Sequence, residues 1–235
     1  MSIKVNNLHK AYGQQKAVNQ ISFAITPGNI VGFLGPNGAG KSTTMKILAG
    51  LIPADSGEAF IQELSVREHP LAIKKTLGFL PENNPLYMDM YVREILRFEA
   101  DTHGIKHPQK RIEEVIAQTG LGSEQHKKVH QLSKGYKQRL GLAMCIIHDP
   151  QVLILDEPTS GLDPNQILEI RALIKNLGKK KTVLISTHIM QEAEAICDEV
   201  IILHKGVIKA HFTIKDMPHQ YPGQSLEDIF VALTK

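Results

Sequence analysis

The chain has no tryptophan, only 5% aromatic residues and two cysteines in 235 positions. The cysteines lack a Cys-x-x-Cys spacing, which argues against a zinc site or a disulfide framework. Cys145 and Cys197 both fall in apolar helical patterns, the setting of buried thiols in a reducing cytosol. No apolar run approaches the roughly 18 residues needed to span a bilayer, and the N-terminus lacks a signal-peptide pattern. Charge of one sign is scarce too: 27 Lys and Arg against 24 Asp and Glu leave +3. That is too mild for a nucleic-acid partner, and none is expected. The basic residues are scattered except for Lys179-Lys180-Lys181, which reads as a solvated helix end before a strand. Repeats and low-complexity segments are missing as well. What is present is 42% hydrophobic content, enough for a real core, so residues 1–235 are read as a single domain with an inserted lobe.

The hydrophobic pattern comes in two kinds. Residues 3–9 and 18–25 alternate apolar and polar positions, as half-buried antiparallel strands do, and 57–61 is a candidate for another. By contrast 152–155, 183–185 and 200–203 are short continuous apolar runs, suited to strands covered on both faces of a parallel sheet. From about 86 to 149 the period is helical: Leu140, Ala143, Met144 and Ile147 fall at i, i+3, i+4 and i+7, in a helix expected to begin at Ser133 and stop before Pro150. The expected fold class is α/β: a phosphate-loop, RecA-like parallel-sheet core with an antiparallel β lobe and an inserted α-helical lobe at about 86–149.

Directly after the apolar run 30–34 the sequence reads Gly35-Pro36-Asn37-Gly38-Ala39-Gly40-Lys41-Ser42-Thr43. A Gly-x4-Gly-Lys-Ser segment between a buried strand and a helix is a phosphate loop. Its glycines let successive N–H groups turn inward, and the helix start adds the positive end of its dipole. Lys41 supplies charge for the β- and γ-phosphates, and the Ser42 hydroxyl is a ligand for Mg²⁺. A nucleoside triphosphate is the expected ligand. Asp156-Glu157 closes the apolar run 152–155. An acid at the end of a parallel strand faces the ligand crevice, so Asp156 is placed to hold Mg²⁺ and Glu157 to polarise an attacking water.

Leu132-Ser133-Lys134-Gly135-Tyr136 narrows the class. It resembles the Leu-Ser-Gly-Gly-Gln signature of ATP-binding-cassette (ABC) ATPases, with Lys134 at a glycine position and Tyr136 at the glutamine. The resemblance covers essentially the whole chain and assigns further residues in order. Ser160-Gly161-Leu162-Asp163 is similar to the family's D-loop, His188 to the switch histidine that senses the γ-phosphate, and Tyr12 to the aromatic that stacks on adenine. Where the family usually carries Gln, this chain has Glu82, which the resemblance makes a metal ligand. Pro81-Glu82 and the C-terminal Leu226-Glu227-Asp228-Ile229-Phe230 are similar to a subset of drug, sodium and gliding-type exporters.

The resemblance implies ATP and Mg²⁺ as cofactors and a head-to-tail homodimer, or a paired ATPase subunit. Each sandwiched ATP would lie between the phosphate loop of one copy and Ser133 and Gly135 of the other. It implies a separate multi-span membrane permease, which would place the chain in the cytoplasm at the inner face of the cell membrane. Leu, Tyr and Met residues crowding 86–91 mark the expected docking face. The rival reading is a soluble ABC ATPase of translation or DNA repair. Those usually carry two cassettes or a long coiled-coil insert, and neither is seen here. A phosphate-loop kinase or GTPase has no support, since no Asn-Lys-x-Asp guanine motif is visible.

Overall fold

The computed structural model describes residues 1–235. In chain order its strands are β1 (Ile3–Tyr12), β2 (Gln15–Ile25), β3 (Ile30–Leu34), β4 (Ser56–Ile61), β5 (Leu64–Ser65), β6 (Leu77–Leu80), β7 (Val152–Asp156), β8 (Thr182–Thr187), β9 (Glu199–His204) and β10 (Val207–Thr213). Its helices are α1 (Lys41–Leu48), α2 (Pro70–Thr76), α3 (Val92–Thr102), α4 (Pro108–Thr119), α5 (Lys134–Ile146), α6 (Pro164–Gly178), α7 (Met190–Ile196), α8 (Met217–Gln220) and α9 (Leu226–Thr234).

The strands form two sheets. An antiparallel one runs β2-β1-β4-β5, and a six-stranded one runs β10-β9-β3-β8-β7-β6. In the second sheet β9, β3, β8, β7 and β6 are mutually parallel and β10 closes the edge antiparallel to β9. The two sequence patterns therefore correspond to two sheets. In β1 and β2 the alternating Ile3, Val5, Ile21, Phe23 and Ile25 are buried, with polar neighbours facing out. Every residue of β3, β7 and β8 is buried. Their alternate side chains serve two cores. Val31, Phe33, Val152, Ile154 and Leu184 pack with α1 and the antiparallel sheet. Ile30, Leu34, Leu153, Leu155, Val183 and Ile185 pack with α5, α6, α7 and α9. This is a RecA-like phosphate-loop fold with an antiparallel β lobe, and α3 to α5 are inserted between β6 and β7.

The helix expected from Ser133 is α5, with Ser133 as its N-cap. Lys181 corrects the reading of a solvated lysine run. It is 8% exposed, and its Nζ donates to Asp149 Oδ1 at 2.6 Å and to the Pro150 carbonyl at 2.5 Å. The cause is the sheet: β8 enters beside β7, so the lysine that opens β8 runs against the loop that opens β7, where two oxygens receive its ammonium. That bond holds the Asp149 carboxyl below the usual carboxylate range. Both cysteines are free and buried, and burial pushes their thiols up.

Candidate active site

The buried strand β3 delivers the chain into the loop that precedes α1. Gly38 (φ 79°) and Gly40 (φ 107°) occupy the left-handed region, and a Cβ on Gly40 would collide with the Ala17 carbonyl oxygen. Gly40 is also the N-cap of α1, so no side chain caps this helix and its first turn holds no acid. The amides of Lys41, Ser42 and Thr43 consequently open the helix without intrahelical partners. Lys41 is 6% exposed, with Nζ donating to the Gly35 carbonyl at 2.6 Å and to that of Pro36 at 3.3 Å. Burial pulls its ammonium below the usual lysine range, while the carboxylates of Glu157, Asp156 and Glu82 oppose that pull.

The facing wall comes from the ends of β7 and β8. Asp156 is 1% exposed and Glu157, which has a positive φ of 50°, is 8% exposed. Ser186 joins them: its hydroxyl donates to Asp156 Oδ1 at 2.5 Å and accepts from the Glu157 N–H at 2.9 Å. Glu157 then spans the site, with Oε1 3.7 Å from Lys41 Nζ and Oε2 2.9 Å from His188 Nδ1. Tyr12, Gln15, Asn37 to Thr43, Glu82, Glu157, Ser160 and His188 line one cleft of about 490 Å³. Gly35, Pro36 and Asp156 do not line this cleft: the first two accept from Lys41, and Asp156 accepts from Ser186. Tyr12 stands half exposed at the rim, near Lys10.

Ser133 and Gly135 are not part of this cleft. Ser133 caps α5, accepting from the Tyr136 N–H at 3.4 Å. A Cβ on Gly135 would come within 2.6 Å of Gln166 Cδ on α6, and the Lys134 ammonium fills the space where a Cβ of Gly161 would stand. Asp163 caps α6 through the Gln166 N–H at 3.0 Å. Arg139 binds the Thr119 carbonyl at 2.9 Å and pairs with Glu169 of α6. The starts of α5 and α6 thus form one unit beside the cleft.

A second cleft of about 840 Å³ lies between α2, β6 and α5. It is walled by apolar groups that include Leu51, Leu71, Phe79, Pro81, Pro85 and Tyr87. Leu71 is 75%, Tyr87 55%, Leu51 54% and Met88 43% exposed, whereas Leu86 and Met90 turn inward onto the core. The stacked rings of His103 and His148, 3.9 Å apart, form part of its floor.

Four residues bonded around this site are not expected from the sequence: Ser186, Thr187, Glu192 and Arg171. Thr187 Oγ1 donates to Glu192 Oε2 at 2.8 Å and accepts from the Ile189 N–H at 3.1 Å, and Arg171 stands 3.4 Å from the other carboxylate oxygen. Only the nearness of three of them to His188 in sequence offered a signal.

Comparison with known proteins agrees on one family. The sequence profile described as ABC transporter matches residues 18–160. The chain is 43% identical over 206 residues to the bacitracin transport ATP-binding protein BcrA of Bacillus licheniformis, covering 87% of this chain and 67% of that protein. It is 34% identical over 233 residues to the linearmycin resistance ATP-binding protein LnrL of Bacillus subtilis (strain 168), covering 98% and 75%. Among solved structures, an ATP-binding subunit of an ABC transporter superposes over 100% of both chains with a TM-score of 0.90 at 31% identity. A dimeric post-hydrolysis state of the ATP-binding cassette MJ0796, bound to ADP and Pi, gives 0.83 at 25% identity over 90% of this chain and 98% of that one.

Proposed function

This chain belongs to the ABC transporter family as an ATP-binding subunit that hydrolyses ATP to power a transporter, and we propose how its residues divide that work. The amides at the start of α1 and the Lys41 ammonium bind the phosphates of ATP, releasing Lys41 from Gly35 and Pro36 for charge-assisted bonds to the β- and γ-phosphates. Tyr12 receives the adenine at the cleft rim. Glu157 orients the attacking water and takes its proton, with His188 holding the carboxylate and reaching the γ-phosphate.

Mg²⁺ fits the donor set. Three acids, Glu82, Asp156 and Glu157, act on one cation of the cleft, Lys41, an excess of negative charge that a divalent ion offsets. No three of the His, Cys, Asp and Glu side chains are close enough to cage a metal. Mg²⁺ does not require such a cage, because it is ordinarily held by one or two carboxylates, waters and substrate phosphates. Ser42, Asp156 and Glu82 are its proposed ligands here, and the ion supplies charge that polarises the γ-phosphate.

Ser133 and Gly135 serve the ATP of a second subunit in a head-to-tail pair. The apolar groove beside Tyr87 and Met88 receives a short helix of a separate membrane permease; no helix of this chain is long and apolar enough to cross a membrane. Similarity to a bacitracin transport protein and to a linearmycin resistance protein supports export as the direction. The soluble-factor alternative leaves that exposed apolar groove without a use.

The observation that carries this reading is the meeting, in one cleft, of an uncapped helix start, a buried lysine and a Glu157–His188 pair drawn from three distant parts of the chain. Glu157→Gln tests it. Turnover should fall by about 100-fold or more with ATP affinity retained, and the variant should elute as a dimer in ATP and Mg²⁺. A variant that hydrolyses ATP like wild type removes Glu157 from its role. One that binds ATP yet stays monomeric removes the sandwich.

A further inference from the structure

We propose that Thr187, Glu192 and Arg171 form a positioning relay that fixes His188 against Glu157. The proposal rests on the catalytic reading of His188 given above. The Thr187 hydroxyl bridges across His188: it accepts from the N–H of Ile189, the residue after the histidine, at 3.1 Å and donates to Glu192 Oε2 on α7 at 2.8 Å. His188 therefore projects from a loop pinned on both flanks, and its ring, 51% exposed, meets Glu157 at 2.9 Å. A histidine that exposed has little packing to orient it, so its direction is set by its backbone.

The far end of the relay is costly to maintain, which argues that it is used. Glu192 is 1% exposed, and a buried carboxylate requires compensation. Oε2 has the Thr187 bond. Oε1 has no hydrogen bond, only the Arg171 guanidinium at 3.4 Å, and Arg171 Nε is likewise without a partner. Anchoring α7 to α6 by itself would be served as well by an apolar pair. What an apolar pair could not do is accept from Thr187. Arg171 also places the relay on α6, the helix whose Gln166 and Glu169 touch Gly135 and Arg139 of α5. A shift of α5 against α6 is thereby transmitted to the histidine that holds Glu157.

Thr187→Val keeps the shape and removes the hydroxyl. Its kcat is expected to fall about tenfold with the KM for ATP changed less than about twofold, because the loss lies in orientation and not in binding. Thr187→Ser should restore kcat. The decisive reading is a double-mutant cycle. In a His188→Ala background, Thr187→Val should cause no further loss, since both act through one group. Wild-type kcat in Thr187→Val, or the same tenfold loss repeated on top of His188→Ala, overturns the relay. Should Thr187→Val fail to fold, Glu192→Leu substitutes in the same cycle with the same two criteria. His188→Ala alone reads the catalytic assignment: if that variant is fully active the assignment itself fails, whatever Thr187 does.

Discussion

Helices α1 and α5 begin alike and end up as opposites. Each starts after a short loop with lysine at its first position, Lys41 or Lys134, and neither has an acid in its first turn. Acids ordinarily favour that turn and cations disfavour it, so neither start offsets its own helix dipole. At α1 the loop closes over the lysine, the cap position is a glycine without a side chain, and three carboxylates stand around the ammonium. At α5 the cap is an ordinary serine bond, Lys134 and Lys137 are not buried, and the nearest neighbours belong to α6. The first is a finished pocket built within one chain. The second is a prepared surface, and we read it as half of a site that another molecule completes.

The largest effect expected from breaking this contrast is at the closed end. Lys41→Ala should lower ATP hydrolysis by about 1,000-fold and weaken ATP binding in the isolated subunit, with circular dichroism unchanged. Near-normal hydrolysis by that folded variant would mean that the enclosed lysine is not the phosphate ligand.

The open end sharpens the comparison through opposite signs. Lys134→Glu places an acid at a helix start, so thermal stability should hold or rise by about 0.3–1 kcal/mol. Yet hydrolysis should drop about tenfold, because the same acid would face a partner's phosphates across the pair. Binding of ATP to the monomer should not change. If stability rises while hydrolysis is untouched, the α5 start is a helix end and nothing more.

The smallest effect concerns the far end of α5. His148 lies just past that helix, stacked on His103 and within reach of the Lys181 and Arg111 charges, and burial lowers its pKa to about 4. Its folded pKa is below the unfolded value of 6.5, so the neutral ring is the form the fold prefers. Stability from this group is complete above pH 6.5 and declines as pH falls toward 4, by on the order of 1–3 kcal/mol. His148→Gln should flatten the acid side of a stability profile measured by urea unfolding between pH 7 and 4. An unchanged slope would assign the acid sensitivity to other groups.

What was legible beforehand follows the range of the interactions. The phosphate loop, the acids after β7 and the two strand patterns are contiguous in sequence, and the backbone alone explains their composition. The Ser186 bond to Asp156 joins residues 30 apart and the Arg171 pair joins α6 to α7. Serine, threonine and glutamate in those positions look like any strand end and helix start. Lys181 departs from its expected solvation for the same reason, because its two acceptors belong to a loop 31 and 32 positions away. The exposed Leu71 that helps wall the apolar groove gave no periodic signal, since it sits on a helix of only 7 residues.

The strand order also carries a consequence for the newborn chain. β3, which presents the phosphate loop, pairs on its two sides with β8 and β9, as in Ile30 with Val183 and Val31 with Glu199. Residues 35–43 leave the ribosome well before the segments 182–187 and 199–204, and until those appear their supporting strand has no neighbours. At ~5–20 residues per second that interval is on the order of ten seconds. A ribosome-bound fragment lacking those strands should therefore display the whole phosphate-loop sequence without retaining ATP. Nucleotide would enter only once both segments have emerged, which makes ATP capture a report that the sheet has closed around its central strand.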